Sequence, residues 1–367
     1  MELAVTEEQR ELGATVRRLL ADHAPETAVR RLMDGPDGHD PALWSRMAAL
    51  GLQGLAVPEE YGGAGCGMAE LGVVLEELGR CLLPSPFLPS AVLAVSTLLA
   101  ADDVGACATY LPGIAEGTLI ATVALPMGDS APAGVRAEPA GAAPVLTGTA
   151  DLVLEAQVAD LLLIPAASPS GTTLYAVEAT APGVTVTALP TLDQTRRLGR
   201  VTLASAPAVP VGAEGGAPPV VARVLDLAEI ALSAEALGGA QFCLDSSVAY
   251  AKVRHQFGRP IGAFQAVKHK CADLLTLVET ARSAVTHATQ TADTAAPDAL
   301  PVTASLTKSY TADAYFTAAA ETLQIHGGLG FTWEHHAHLH FKRAKSTQLL
   351  FATPSSHRTR LAAHLSL

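Results

Sequence analysis

The chain has 367 residues, enough for two or three domains and a large core. Hydrophobic residues make up 49% and charged residues only 16%, so extensive burial between subunits is expected. A net charge of −12, with no run of Lys or Arg, excludes a general grip on nucleic-acid phosphates and leaves room for one local Arg on an anionic ligand.

In chain order, the opening Met1-Glu-Leu-Ala-Val-Thr-Glu-Glu carries no basic region and no signal-peptide core. Thr6-x-x-Gln9 forms a capping box, and Leu12, Val16, Leu19 and Leu20 follow at helical spacing. Asp40-Pro41 starts a second helix that Gly51 stops. Val57-Pro-Glu-Glu-Tyr-Gly-Gly63 is a turn-rich loop. A helix over 71–82 follows, with Leu71, Val74, Leu75 and Leu78 on one side. The apolar run 87–101 is broken by Pro89, Ser90, Ser96 and Thr97. It falls short of the roughly 20 apolar residues of a membrane span, so no membrane insertion is expected.

The pattern changes near Thr118. Short apolar runs at 119–125, 161–164, 174–177 and 184–186, split by Gly, Pro and Thr, predict a small β domain. Long helices return at 221–252, 264–288, 301–327, 335–350 and 354–365, with a polar break at 291–299. They predict an antiparallel bundle. The expected fold is therefore α+β and multidomain. It comprises a helical N-terminal domain (1–117), a central β-barrel (118–213) and a C-terminal four-helix bundle (219–367). The five cysteines, at 66, 81, 107, 243 and 271, are scattered and odd in number, which reads as small buried thiols in a reducing cytoplasm.

Two segments carry the chemistry. One is Arg254-His-Gln-Phe-Gly-Arg-Pro-Ile-Gly-Ala-Phe-Gln265; the other is Gln324-Ile-His-Gly-Gly-Leu-Gly-Phe331. An Arg suits a diphosphate because its planar fork neutralises and bonds two oxygens. Paired glycines let backbone amides approach a ligand closely. Together, and with Val57–Gly63 and Glu76-Glu-Leu-Gly79, these segments resemble the FAD-binding acyl-CoA dehydrogenase family over essentially the whole chain. The resemblance implies that Arg254, Gln256, Phe257, Phe264, Gln265, Gln324, Gly327, Gly328 and Thr353 bind FAD. Arg254 and Phe257 would reach the diphosphate and adenine of a neighbouring subunit's FAD. An acyl-CoA or acyl thioester substrate and an electron-transfer flavoprotein or similar acceptor are also implied.

The chain departs from the family where the reaction happens. Leu350-Phe-Ala-Thr353 stands where most members carry Tyr-Glu-Gly-Thr, so Phe351 takes the place of the catalytic Glu. Other members carry that Glu on the first bundle helix, at a distance that lands here on Ala228. Glu229 is adjacent but about 100° round a helix; it is the candidate for a relocated base. Glu235, two turns on, reads as a structural carboxylate. Leu152 and Leu154 stand in the flavin-holding Trp and Thr places. The strand end is reduced to Ala124-Leu-Pro-Met-Gly-Asp-Ser130, with Asp129 and Ser130 as its surviving polar groups. His335, His336, His338 and His340 read as one polar helix face beside Lys342, Arg343 and Lys345. No metal is expected there, because no Glu stands between the pair His336 and His340.

Adenine-side residues kept and ring-side residues lost resemble the non-catalytic subunit of heteromeric actinobacterial members. A second, base-bearing subunit in an α₂β₂ heterotetramer is then implied. Two other readings stay open. One is a homo-oligomeric flavoenzyme with a relocated base, acting on an unusual acyl-CoA or acyl-carrier-protein substrate. The other is a flavin-free or non-redox derivative of the fold.

Overall fold

The computed structural model describes residues 5–35, 38–127, 134–140, 143–294 and 298–366. The first helices are α1 (Glu7–His23), α2 (Glu26–Asp34), α3 (Pro41–Ala49) and α4 (Met68–Cys81). The capping box at α1 forms in both directions. The Gln9 N–H donates to Thr6 Oγ1 at 3.2 Å, and the Thr6 N–H donates to Gln9 Oε1 at 3.0 Å. Asp40 caps α3, accepting from Ala42 and Leu43, with Pro41 in the first turn, where its missing N–H costs nothing.

A π-helical stretch (Leu88–Ala94) runs into α5 (Val95–Ala100), and α6 (Val104–Ala115) follows. The whole stretch Leu88–Ala94 is buried. Strands β1 (Ala121–Val123), β2 (Gly134–Glu138), β3 (Val145–Leu154), β4 (Leu161–Ser168), β5 (Gly171–Glu178), β6 (Val184–Leu189), β7 (Leu198–Pro207) and β8 (Val209–Val211) come next. They form one mixed sheet in the order β6-β7-β3-β2-β4-β5-β8, with β1 parallel to β4. Its core includes Leu146, Val153, Leu162, Ile164, Tyr175, Val177, Val201 and Leu203, all at most 5% exposed. Each such aliphatic side chain contributes roughly 1.5–3 kcal/mol by leaving water.

The last segment holds α7 (Ala217–Val253, 37 residues), a two-residue hairpin β9 (His255–Gln256) and β10 (Arg259–Pro260), and α8 (Gln265–Ala292). Helices α9 (Ala299–His326), α10 (Gly328–Phe331), α11 (Ala337–Leu349) and α12 (Pro354–His364) complete it. The order helical, mixed sheet, helical is the one expected.

Contacts divide the chain into two compact units. One comprises Met1–Arg30, Gly72–Leu83 and Glu229–Leu367; the other comprises Arg31–Leu71 and Pro84–Ala228. In the second, the Ala121 N–H donates to Ser90 Oγ at 3.1 Å, tying the π-helical stretch to β1. In the first, α4 crosses α7 backbone to backbone. A Cβ on Gly238 would stand 1.8 Å from the Glu76 carbonyl oxygen, and one on Gly79 would stand 2.0 Å from that of Glu235. Ion pairs Arg17–Glu77 and Arg282–Glu76 then fasten α1 and α8 to α4.

Candidate functional site

The end of α7 builds the first part of the site. The Arg254 N–H closes on the Tyr250 carbonyl, and the Arg254 carbonyl accepts from Ile261 at 2.8 Å. The hairpin between them turns at Phe257 (φ +51°) and Gly258 (φ +78°), a pair of left-handed residues matched to strand twist. That turn throws the Phe257 side chain outward, 91% exposed. Phe264 meets the Phe257 ring edge-on, 6.1 Å between centroids, and the Arg259 guanidinium covers Phe264 at 4.2 Å. Gln256, Gln265 and Arg254 are exposed. Among the described residues, the Arg254 guanidinium has no ion-pair or hydrogen-bond partner.

Tyr250 stacks on His326 at 4.3 Å, which sets the end of α7 beside the end of α9. Gln324 is exposed there. Gly327 has φ +60°, and a Cβ on Gly327 or Gly328 would meet nothing within 4 Å. The open backbone, the free guanidinium and the exposed aromatic suit the diphosphate and adenine of a dinucleotide. The residues named from sequence at 254–265 and 324–328 are thus displayed on one unit. Thr353 instead caps α12, with its Oγ1 accepting from the Ser356 N–H at 3.2 Å.

The position that the resemblance assigns to the base is buried. Phe351 is 4% exposed with φ +62°, and Ala352 follows at φ +150°. Both are left-handed and neither is Gly, so the loop keeps a glycine-like path with apolar side chains on it. Glu229 is 3% exposed and faces α12: His357 Nε2 stands 3.6 Å from its Oε1, and Arg360 Nη1 stands 3.6 Å from its Oε2. Burial, with Lys308 and Arg360 nearby, pulls His357 down to about 4, so the imidazole is neutral at pH 7. Glu235 is bound by Arg343, both buried, and Lys308 donates to the Thr347 carbonyl.

In the sheet unit, β3 slips register against β7 between Ala150 and Val153. Leu152 stands at that bulge with φ +59° and is 38% exposed. Leu154 is 2% exposed, pairs with Leu198 of β7, and its carbonyl accepts from Thr122 Oγ1 at 2.7 Å. Ala124 and Leu125 are buried. Asp129 and Ser130 lie outside the described residues.

The histidine cluster differs from the expected polar face. His340 and Arg343 are buried, and the rings form a column: His326 on His335 (4.3 Å), His335 on His336 (4.6 Å), His336 on Phe242 (4.6 Å), Phe242 on His340 (4.2 Å). Tyr315 Oη bonds His340 Nδ1 at 2.9 Å. Burial, then neighbouring positive groups, holds His335 at about 4 and His340 well below the usual value. Sequence alone showed the four histidines. The His340 ring faces inward because Phe242 of α7 stacks on it and Tyr315 of α9 bonds it, which local spacing does not record.

The profile of the acyl-CoA dehydrogenase N-terminal domain matches residues 6–118, and that of the C-terminal domain matches residues 216–366. Acyl-CoA dehydrogenase IpdE2 of Mycobacterium tuberculosis is 37% identical over 349 residues, 95% of this chain and 94% of that protein. The chain belongs to the acyl-CoA dehydrogenase family. This is a family of FAD-dependent flavoprotein oxidoreductases of lipid metabolism. Acyl-CoA dehydrogenase FadE34 of the same organism is 37% identical over 352 residues, 94% of this chain but 46% of FadE34. Among solved structures, the ChsE4-ChsE5 complex from Mycobacterium tuberculosis superposes with a TM-score of 0.90 at 29% identity, covering 100% of this chain and 99% of the matched one. Among the described residues, no helix is long and apolar enough to cross a membrane.

Proposed function

We propose that this acyl-CoA dehydrogenase chain works as the subunit without a catalytic carboxylate in a heteromeric enzyme. In that enzyme it lends adenine- and diphosphate-binding groups to FAD held by a base-bearing partner. The observation that carries the reading is Phe351: a buried phenyl ring on a left-handed loop stands where the sequence resemblance expects the acid. The family reaction removes an α-proton from an acyl thioester, which needs a carboxylate within hydrogen-bond reach. Phe351 cannot take a proton. Glu229 is engaged by α12 through His357 and Arg360.

The fit to FAD is uneven. When bound, FAD supplies the hydride acceptor. Arg254 would pair with its diphosphate, Phe257 would lie against adenine, and the exposed amides around Gly327 and Gly328 would approach the same end. On the ring side, Leu152 and Leu154 offer apolar side chains where donors are needed. The ChsE4-ChsE5 complex supports a heteromeric arrangement. So does FadE34, where a stretch similar to this chain accounts for less than half the length. The electron acceptor in this reading is an electron-transfer flavoprotein or its equivalent.

The test is flavin content and acyl-CoA turnover, with an artificial electron acceptor, of the chain alone and of the chain co-purified with a base-bearing family member. Turnover is expected only from the pair. Robust activity from the chain alone, abolished by Glu229→Gln, would move the base role to Glu229 and end the heteromeric reading.

A further inference from the structure

An open pocket of about 280 Å³ lies within the first unit, bordered by α1, the start of α2, α4, α7 and α11. Its wall is apolar, with Leu20, Ala24, Leu82, Leu339 and the ring of Phe242 among its lining, and it includes the buried ring of His340. It is not the place of the acyl chemistry. Phe242 lies thirteen residues beyond Glu229 on α7, a rise of about 20 Å, and His340 lies eleven residues before Phe351.

His340 supplies the polar atom that points to a ligand. It is 2% exposed, and Tyr315 occupies its Nδ1. Among the described residues, no group bonds its Nε2, the ring atom left on the edge away from Tyr315. His340 Nε2 is not one of the fully buried unpartnered side-chain atoms, so it meets the cavity space, where a bound hydroxyl or carbonyl can take the place of water. The charges around the cavity are already matched. Arg17 bonds Glu77 through two nitrogens at 2.9 and 2.5 Å, Arg80 pairs with Asp245, and Glu26 takes both Arg30 and His336. The occupant therefore gains nothing by bringing a charge.

We propose that this cavity is a binding site for a compact, neutral, largely apolar molecule of two or three rings. The molecule carries one hydroxyl or carbonyl, which bonds His340 Nε2 while its body lies against Phe242. The site is separate from both the acyl and the flavin sites. It does not depend on which subunit holds the base. Because Phe242 also contacts His336, which stacks on His335 and through it on His326, an occupant touches the ring column that ends beside the Gln324–Gly328 loop.

The probe is 2-naphthol, whose hydroxyl both donates and accepts and so matches either tautomer of His340. Titration of the full chain by calorimetry is expected to show one site with Kd on the order of 100 µM. Naphthalene should bind roughly five- to tenfold more weakly. The control variant is Ala21→Trp, at an exposed position of α1 on the cavity lining, which blocks the space without entering the core. It should reduce binding at least about tenfold. His340→Phe should erase the preference of naphthol over naphthalene. Three results would overturn the proposal: no saturable binding; tighter binding of 2-naphthoate than of 2-naphthol; or binding that survives Ala21→Trp but is lost in Phe257→Ala, which would place the ring on the adenine-side aromatics.

Discussion

At the scale of single residues, Phe351 and Ala352 hold left-handed backbone in the loop where the proposed reading sets an acid and a glycine in other family members. Ala352 holds φ +150°, a region where a Cβ is strained by about 1–3 kcal/mol. Ala352→Gly should therefore stabilise the chain by about 1 kcal/mol, seen as a higher urea midpoint with an unchanged slope. No gain, or a loss, would show that the loop has relaxed around its alanine. Arg254 stands at the other extreme, exposed and free. Arg254→Ala should leave the fold intact and weaken flavin retention in the assembled enzyme roughly ten- to hundredfold. Equilibrium dialysis of FAD from the complex measures it, and unchanged retention would remove Arg254 from the diphosphate.

At the scale of elements, the packing of α12 on α7 carries a pH dependence. His357 is 2% exposed and titrates near 4 in the folded chain, against an ordinary value near 6.5 in the unfolded one. Lys308, Arg360 and Glu229 are the charged groups around it. A depressed folded value means that the unfolded chain binds the proton first as pH falls. The contribution is fully present above about pH 6.5 and is lost progressively down to about pH 4, on the order of 3 kcal/mol in all. Urea midpoints between pH 7 and 4 should fall along that window, and His357→Gln should flatten part of the fall. An identical slope in the variant would assign the dependence elsewhere. The same elements show what could be read in advance. The long bundle helices were legible because caps and stops stand at their ends: Val253 precedes the hairpin, and Pro354 opens α12. Helices α5 and α6 and the π-helical stretch before them were not. That stretch is buried on all sides, so no apolar stripe marks it, and Pro89 reads as a break although it sits in the first turn. The family membership was legible from the residue types and order at 254–265 and 324–331. The ring column was not, since stacking of Phe242 on His340 joins residues about a hundred positions apart.

At the scale of the whole molecule, the proposed reading puts the losses on one kind of contact and the retained groups on another. Restoring one lost group should then fail to restore chemistry. Phe351→Glu, assayed in the assembled enzyme, is expected to leave turnover within about twofold, because Leu152 and Leu154 still offer the ring no donors. A large rise in turnover would mean that the acid alone was missing and that the chain's own pocket holds flavin.

Helix α7 gives these observations a common frame. Glu229 lies on it and Arg254 directly follows its last residue, Val253, so about 36 Å of continuous helix separates them. A rod of that length passes little news of a side-chain change from one end to the other. A mutation that silences the Glu229 end leaves the Arg254 end as it was. After gene duplication, one copy of such a chain can therefore shed its own chemistry in a few steps and stay useful to its sibling. Its inheritance is then tied to the sibling's, and the two genes are expected to be kept or lost as a pair.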